Sequence, residues 1–518
     1  MGIEIELKLD VSPRAAKRLV GAPWLKELAS APPKKARLVS VYYDTPDFRL
    51  RGKRAALRVR KIDGKHVQTF KFEGDAAQGF LGRGEWECEL ESPKPNVTGI
   101  KGKRVNGLHP SKLEGKLKPM FETAVTRTAI PVRWDDSEVE IAIDMGAVKT
   151  GRRQAPIHEI EVELKRGDPA AVIALGARIA ADLRAAYGVE SKAERGYALR
   201  EGKTRAAIYA APVVLEPEMT AGQAFKVIGL SCLHHFAANR AAVAAGDRDG
   251  VHQMRVGLRR LRAAISVFME VLRDPETEAI KQELEWLGEQ LGPARDLDVL
   301  IDNTIANIEE QGVDPAAVRA LKREVVRKRA AALTGARAAV RGERYRKLVL
   351  RTAFWVAGGQ WTSTDDPLMS ARRERKVAGF AVAELSRRRH KIAESLEKLK
   401  KLNDRKRHKL RIHVKKLRYA AEFFESLFGG HGANARGRAF GKALKSLQTS
   451  LGELNDMRVH GRLAEELIVS TSTASQKVRE VFAMGLVAGE ERAKSAKLLS
   501  DAAKAGKRLV AVKPFWKA

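Results

Sequence analysis

Two cysteines, Cys88 and Cys232, are all that 518 residues contain. They stand far apart and match no zinc or redox spacing, so both are expected to be reduced core thiols. Aromatic residues make up only 6% of the chain, which argues against base stacking as the main binding mode. No apolar run is long enough for a membrane-spanning helix, so no membrane partner is expected. The opening residues lack the apolar stretch of a signal peptide, and the cytoplasm is the expected location. Helix-turn-helix, RNP and zinc-finger signatures are missing, so no specific nucleic acid is expected as a partner. Acid is also short: 64 Asp and Glu stand against 96 Lys and Arg, a net charge of +32. Such an excess attracts polyanions. From charge alone, nucleic acid, an acidic membrane surface and polyphosphate are all candidates.

The length points to two or three domains. The first two hundred residues read as β-rich. Residues 3–9 alternate strictly, with Ile3, Ile5, Leu7 and Leu9 on one face and Glu4, Glu6 and Lys8 on the other. Alternation returns at 57–60, 69–73, 85–90, 138–144 and 159–165, with helical stretches around 14–28 and 169–187. Many antiparallel strands separated by turn signals suggest a barrel or sandwich. Residues 203–217 hold Ala and Pro without sustained periodicity and read as a linker. From Glu218 the chain becomes long helical pattern, rich in Ala, Leu, Arg, Lys and Glu.

One charged strand face normally turns to water. Here the same pattern holds on strand after strand, and charges of one sign cluster. Arg58 and Arg60 share a face, as do Thr69, Lys71 and Glu73, then Glu85, Glu87 and Glu89, then Glu140 and Asp144, then Glu159, Glu161 and Glu163. If these faces point into a closed barrel, its lumen holds clustered carboxylates and clustered cations. Crowded carboxylates need a counter-cation, and Mg²⁺ or Mn²⁺ is the hard, oxygen-seeking choice. Arg and Lys in the same lumen would grip phosphate oxygens. Metal-assisted phosphoanhydride hydrolysis suits that arrangement.

These residues also form an ordered set of motifs. Glu4-Ile5-Glu6-Leu7-Lys8 reads ExExK, followed by Tyr42-Tyr43-Asp44-Thr45-Pro46, Leu57-Arg58-Val59-Arg60 and Thr69-Phe70-Lys71. Arg83-Gly84-Glu85-Trp86-Glu87, Arg127, Ile143-Asp144-Met145-Gly146, Glu159-Ile160-Glu161-Val162-Glu163-Leu164 and Ser191-Lys192 complete the series. This stretch resembles the CYTH family, the triphosphate tunnel metalloenzymes, and most of all its bacterial inorganic triphosphatases. The resemblance implies an eight-stranded antiparallel β-barrel. It implies that Glu4 and Glu6 ligate a metal with help from Glu161 and either Glu159 or Glu163. It implies that Lys8, Arg58, Arg60, Lys71, Arg127 and Lys192 hold the triphosphate, with Arg83 at the tunnel mouth as substrate contact or salt-bridge partner. Glu85, Glu87 or a last-strand glutamate such as Glu159 would position or deprotonate water, and Asp144 would orient cations or a second metal. Which glutamate is the base stays open.

The helical half contains an internal repeat. VHQMRVGLRRLRAAISVF from Val251 aligns without a gap with RHKLRIHVKKLRYAAEFF from Arg407. His252 pairs with His408, Arg255 with Arg411, Arg259 with Lys415, Arg260 with Lys416 and Arg262 with Arg418. Each run is followed by a second match, LGPARDLDVL from Leu291 and LGELNDMRVH from Leu451. On a helix, His252, Arg255, Arg259 and Arg262 fall on one face, while Val256, Leu261 and Ile265 lie on another and are expected to pack. Neither His252 nor His408 has a His or carboxylate three or four residues after it, which disfavours paired helical ligation of a metal. The half resembles the CHAD family, the conserved-histidine α-helical domain. That implies two pseudo-symmetric halves and binding of inorganic polyphosphate by a basic surface, with Asp296 and Asp456 fixing arginines by salt bridge. No catalytic role is implied.

The expected fold class is therefore α+β multidomain, with a tunnel domain at 1–202, a linker at 203–217 and an all-α helical bundle at 218–510, its repeats covering about 218–370 and 371–510. The expected function is metal-dependent hydrolysis of inorganic triphosphate in the tunnel, with Mg²⁺ or Mn²⁺ as cofactor, and polyphosphate binding by the helical half. Tethering to polyphosphate would raise local substrate or place the enzyme at polyphosphate granules. The alternatives are a non-catalytic polyphosphate-binding or granule protein, and a triphosphatase for nucleoside or thiamine triphosphates.

Overall fold

A computed structural model describes residues 2–62, 64–72, 82–98, 109–202, 206–306, 309, 315–363, 366–429, 431–469, 489 and 495–516; at 2–4, 82–84, 110–111, 303–304, 317, 431–433 and 455–469 it describes the backbone alone. Among these residues no helix is long and apolar enough to cross a membrane. The chain divides into two compact units. One comprises Met1–Ala206 with Glu343–Gln360, the other Ala207–Gly342 with Trp361–Ala518.

The alternating runs of the first unit become strands. They are β1 (Gly2–Asp10), β2 (Lys34–Asp44), β3 (Ala55–Ile62), β4 (Lys65–Phe72), β5 (Gly82–Leu90), β6 (Lys118–Trp134), β7 (Ser137–Thr150), β8 (Arg153–Arg166) and β9 (Ala186–Tyr187). They form one antiparallel sheet in the order β5-β4-β3-β2-β6-β7-β8-β1-β9. That is nine strands among the described residues where eight are expected; the short β9 adds to β1 through Leu9↔Tyr187 and Asp10↔Ala186. The first residues of β1 also pair with β5, Gly2 opposite Glu85 and Ile5 opposite Gly82.

Because successive side chains alternate across a sheet, the register places one set of residues on a common face. Lys8 lies opposite Glu161, Glu6 opposite Glu163, Asp144 opposite Glu159 and Arg127 opposite Asp144. The set continues with Tyr42 opposite Arg58, Ser40 opposite Arg60, Arg58 opposite Thr69, Lys71 opposite Glu85 and Thr69 opposite Glu87. The other face is apolar: Leu7, Leu9, Ile141, Ile143, Ile160 and Val162 are buried. Helix Ala170–Leu183 contributes Val172, Leu175 and Ile179 to that outer packing.

A second helix, Lys192–Glu201, begins with a capping box. Ser191 Oγ accepts from the Glu194 amide, and the Glu194 side chain accepts from the Ser191 amide. It packs on the polar face's aromatic end. Phe121 stacks on Tyr42 at 4.7 Å and meets Tyr197 edge-on at 5.0 Å. Gly196 permits this contact, since a Cβ there would stand 2.1 Å from the Phe121 ring.

In the second unit both cationic runs are helical, in Arg248–Val267 and Asp404–Phe424. Leu261 and Ile265 are in the core as expected, while Val256 is half-buried. A short bridge joins the stretches that lead into two of the helices. Just before helices Ala221–Ala238 and Val377–Glu397, Thr220 pairs with Lys376, the Ala221 amide donates to Arg375 O at 2.8 Å and the Val377 amide to Met219 O at 2.9 Å. Residues 206–216 form neither helix nor strand, yet Val213 and Leu215 are buried and the Leu215 amide donates to Ser426 Oγ at 2.8 Å.

Candidate active site and cationic surface

Charged side chains on a buried sheet face are costly unless paired. Asp144, Glu159, Glu161 and Lys192 are all nearly sealed from solvent, none more than 7% exposed. The carboxylates offer oxygens within 4.8 Å of one another. Lys192 binds all three, with Nζ 2.7 Å from Asp144 Oδ2, 2.9 Å from Glu161 Oε1 and in contact with Glu159. Arg127 donates through Nε and Nη2 to Asp144 at 2.8 and 2.6 Å and also binds Glu161. Lys8 Nζ lies 2.8 Å from Glu161 Oε1 and 3.2 Å from Glu6 Oε1. Arg195 reaches Glu159 at 3.2 Å and Asp10 at 3.1 Å.

The net effect on protonation follows from these pairs. Burial alone would raise Glu161, but Lys192, Lys8 and Arg127 hold it well below the usual carboxylate range. Asp144 is likewise lowered against burial by Lys192 and Arg127. Lys8 is raised despite burial, because Glu161 and Glu6 face it. Lys192 is raised in the same way by Glu159, Glu161 and Asp144. Both carboxylates and both ammoniums are therefore charged near neutrality.

Across the same face lies a cationic arc. Arg58 contacts Glu85 at 3.9 Å, Lys71 contacts Glu85 at 3.3 Å, and Arg60 Nε donates to Ser40 Oγ at 2.9 Å. Arg60 is lowered to about 10 by burial and by the neighbouring Arg58. Cations crowded until one loses basicity are a setting for an anion. Tyr42 belongs to this arc too. Burial would raise its phenol, but Arg58, Lys192 and Arg60 bring it below the ordinary value.

The expected residues distribute as follows. Glu6, Lys8, Arg58, Arg60, Lys71, Glu85, Arg127, Asp144, Glu159, Glu161 and Lys192 come together on this face. Glu87 is exposed and accepts from Thr69 Oγ1 at 2.7 Å, and Glu163, opposite Glu6, pairs with Lys165 at 2.7 Å. The side chains of Glu4 and Arg83 lie outside the described residues. Tyr42, Ser40 and Arg195 were not anticipated as site residues, although Ser40 and Tyr42 stand two apart, the period of one strand face. Asp44 is structural: it accepts from the amides of Thr45, Leu50 and Arg51 and from Tyr197 Oη at 2.8 Å.

The oxygens that Lys8 and Lys192 bind through Nζ are carboxylate oxygens, the chemistry of a hard divalent cation. Glu6 and Glu161 already converge on one cation, the Lys8 ammonium. The donor set thus fits Mg²⁺ or Mn²⁺, with Glu6 and Glu161 as first candidates to hold it.

In the helical unit, His252, Arg255 and Arg259 lie together with Arg295, from the helix Pro275–Val299. Burial and then Arg295 and Arg259 lower His252, and burial and then Arg259 lower Arg255 to about 10. Asp296 lies 3.8 Å from Arg255, and Asp456 falls outside the described side chains. A second group surrounds Lys416, which is lowered by burial and by Arg388, Arg262, Lys281 and Lys391. It mixes residues of both repeats. Arg262 also contacts Glu285 at 3.2 Å. His408, Arg411, Lys415 and Arg418 are half-buried along the helix Asp404–Phe424, with the Arg418 guanidinium over the Tyr419 ring at 4.6 Å. Arg260 corrects the expectation of a surface cation. It is 1% exposed, pairs with Glu422 at 3.1 Å and lies against Phe423.

Family models of the CYTH domain and the CHAD domain match residues 2–197 and 228–465. A curated relative, the inorganic triphosphatase of Haemophilus influenzae, is 31% identical over 199 residues, 38% of this chain and 54% of that protein. The match thus spans about half the relative's length. Among solved structures, the CHAD domain of the plant Ricinus communis is 30% identical over 60% of this chain and 98% of that one, with a TM-score of 0.49. A Hippeastrum protein, whose structure is described as revealing a dominant triphosphatase activity, is 18% identical over 39% of this chain and 97% of that one, with a TM-score of 0.27. The chain carries a CYTH domain followed by a CHAD domain.

Proposed function

We propose that this protein hydrolyses inorganic triphosphate in the CYTH domain and binds inorganic polyphosphate through the CHAD domain. The observation that carries the reading is the split polar face: carboxylates Glu6, Asp144, Glu159 and Glu161 on one arc and cations Arg58, Arg60 and Lys71 on the other. The β1–β5 pairing supports closure of the sheet into a tunnel around it. A phosphate chain lying across the face would meet Arg58, Arg60, Lys71 and Arg127 through its oxygens. Lys8 and Lys192, both charged, would hold the end nearer the carboxylates. A divalent cation, held by Glu6 and Glu161, would polarise the phosphoryl oxygens and neutralise developing charge. Asp144 and Glu161 are each held below the usual carboxylate range by cations, so the more exposed Glu85, which meets Lys71 and Arg58, is the more accessible acceptor for a water proton. Among the described residues of the face none reads a base or a thiazole ring, which favours inorganic triphosphate over nucleoside or thiamine triphosphates. The 31% identical triphosphatase supports the same activity class.

On the helical unit, cations whose basicity is lowered by one another form two groups, and the group around Lys416 draws on both repeats. A linear polyanion would relieve that crowding. Phosphate release from tripolyphosphate, ATP and thiamine triphosphate, assayed side by side, tests the substrate. Release favouring ATP or thiamine triphosphate would overturn the choice. For the CHAD domain, polyphosphate should displace bound DNA at far lower phosphate concentration than the reverse, whereas equal competition would indicate a non-specific polyanion surface.

A further inference from the structure

One helix, Glu343–Gly358, lies in sequence between the two cationic runs yet belongs to the first compact unit. Its inner positions are sealed, with Thr352, Trp355 and Val356 all 1% exposed or less. Two contacts tie it to the back of the candidate active site. The first is Arg346, whose Nη1 donates to Ala185 O at 3.2 Å. Ala185 leads directly into β9, which pairs with Leu9 and Asp10 of β1. The Gly188 amide then donates to Lys8 O at 2.9 Å, and a Cβ on Gly188 would stand 2.9 Å from Lys8 Cβ. Three residues later Ser191 caps the helix that starts with Lys192. The second contact is Phe354. A Cβ on Gly176 would lie 2.1 Å from Leu7 Cδ2 and 3.6 Å from Phe354 Cε1, so Leu7, Gly176 and Phe354 converge. Leu7 is the outward residue between Glu6 and Lys8.

We propose that the helix Glu343–Gly358 is a working part of the triphosphate-binding domain, bracing β1 and β9 from outside so that Lys8 and Lys192 hold their positions. Arg346 and Phe354 are positioning residues: they touch none of the groups that would meet phosphate. Since that helix continues covalently into the second unit at both ends, the domain is completed by a segment the chain supplies more than a hundred residues after the sheet ends. The role assigned to Lys8 and Lys192 rests on the function proposed above.

The test uses the full chain with Arg346→Ala, Phe354→Ala and the conservative Arg346→Lys. Two quantities are read: amide hydrogen exchange by mass spectrometry, and KM and kcat for tripolyphosphate. Faster exchange across 2–10 and 185–190, a KM raised about tenfold with kcat little changed, and recovery in Arg346→Lys are expected. An unchanged KM, or exchange that rises only within 343–360, overturns the proposal. If the unaltered protein releases no phosphate, the functional reading fails while the exchange data still decide whether the helix braces β1 and β9.

Discussion

Lys192 and Glu161 meet at 2.9 Å beneath the polar face, the lysine from the first turn of a helix and the glutamate from the middle of β8. The same ammonium also holds Asp144 and Glu159. One cation thus ties three buried carboxylates together, and it helps hold two of them, Asp144 and Glu161, below the usual carboxylate range.

Replacing it leaves those carboxylates short of positive charge in a dry site. Lys192→Ala should lower stability by about 3–5 kcal/mol. Denaturant unfolding of the first unit would register this. A loss under about 1 kcal/mol would show that Arg127 and Lys8 suffice without it.

Acid should unfold the first unit through the same cluster. Glu161 and Asp144 are depressed in the fold, so their contribution is present above the unfolded values near 4. It is lost as pH falls through their lower folded values. Lys8 and Lys192 are raised, so their contribution persists through neutrality and fades only above about pH 10. Stability should be flat from about pH 5 to 9 and drop on the acid side. Glu161→Gln should shallow the acid limb; an acid limb of the same steepness would contradict the assignment.

Gly196→Ala sets two effects against each other. Alanine in the helix Lys192–Glu201 gains about 1 kcal/mol of propensity. The new methyl, however, would stand 2.1 Å from a Phe121 ring already fixed between Tyr42 and Tyr197. Overpacking of about 1–3 kcal/mol should dominate, and displacement of the helix should carry Lys192 with it. A lower Tm together with a raised KM for tripolyphosphate is the expected pair; a stabilised protein would show that the ring can move.

How much of this was legible depends on range. Glu159, Glu161 and Glu163 share a face because strand periodicity is two, which the chain displays openly. The partnership of Lys192 with that strand was not legible from local pattern, since it joins a helix start to β7 and β8. Arg260 looked like its neighbours but sits about 100° from Arg259 and farther still from Arg255 and Arg262, and the core lies on that side. The helix Glu343–Gly358 has ordinary helical periodicity, which shows that a helix forms and not which unit it packs on. β9 is two residues long and carries no pattern at all.

His252 should take up a proton when a polyanion binds. In the free protein burial, Arg295, Arg259 and Arg255 lower it, with Asp249 opposing them. A bound phosphate chain would neutralise those arginines and raise it. Polyphosphate affinity should therefore strengthen as pH falls from about 7.5 to 6. Calorimetry in buffers of different ionisation enthalpy would detect the uptake. Loss of uptake in His252→Asn would locate it, and unchanged uptake would place it elsewhere.

Whether the polar face is a metal-dependent triphosphatase site is decided by phosphate release from tripolyphosphate by the intact protein and by Glu6→Gln, with Mg²⁺ or Mn²⁺ and with chelator. Glu6 touches Lys8 at 3.2 Å, and its replacement keeps the side chain's size. Release should require the metal and vanish in Glu6→Gln while Tm stays near that of the intact protein. Metal-independent release, or full activity in a folded Glu6→Gln protein, would contradict that reading.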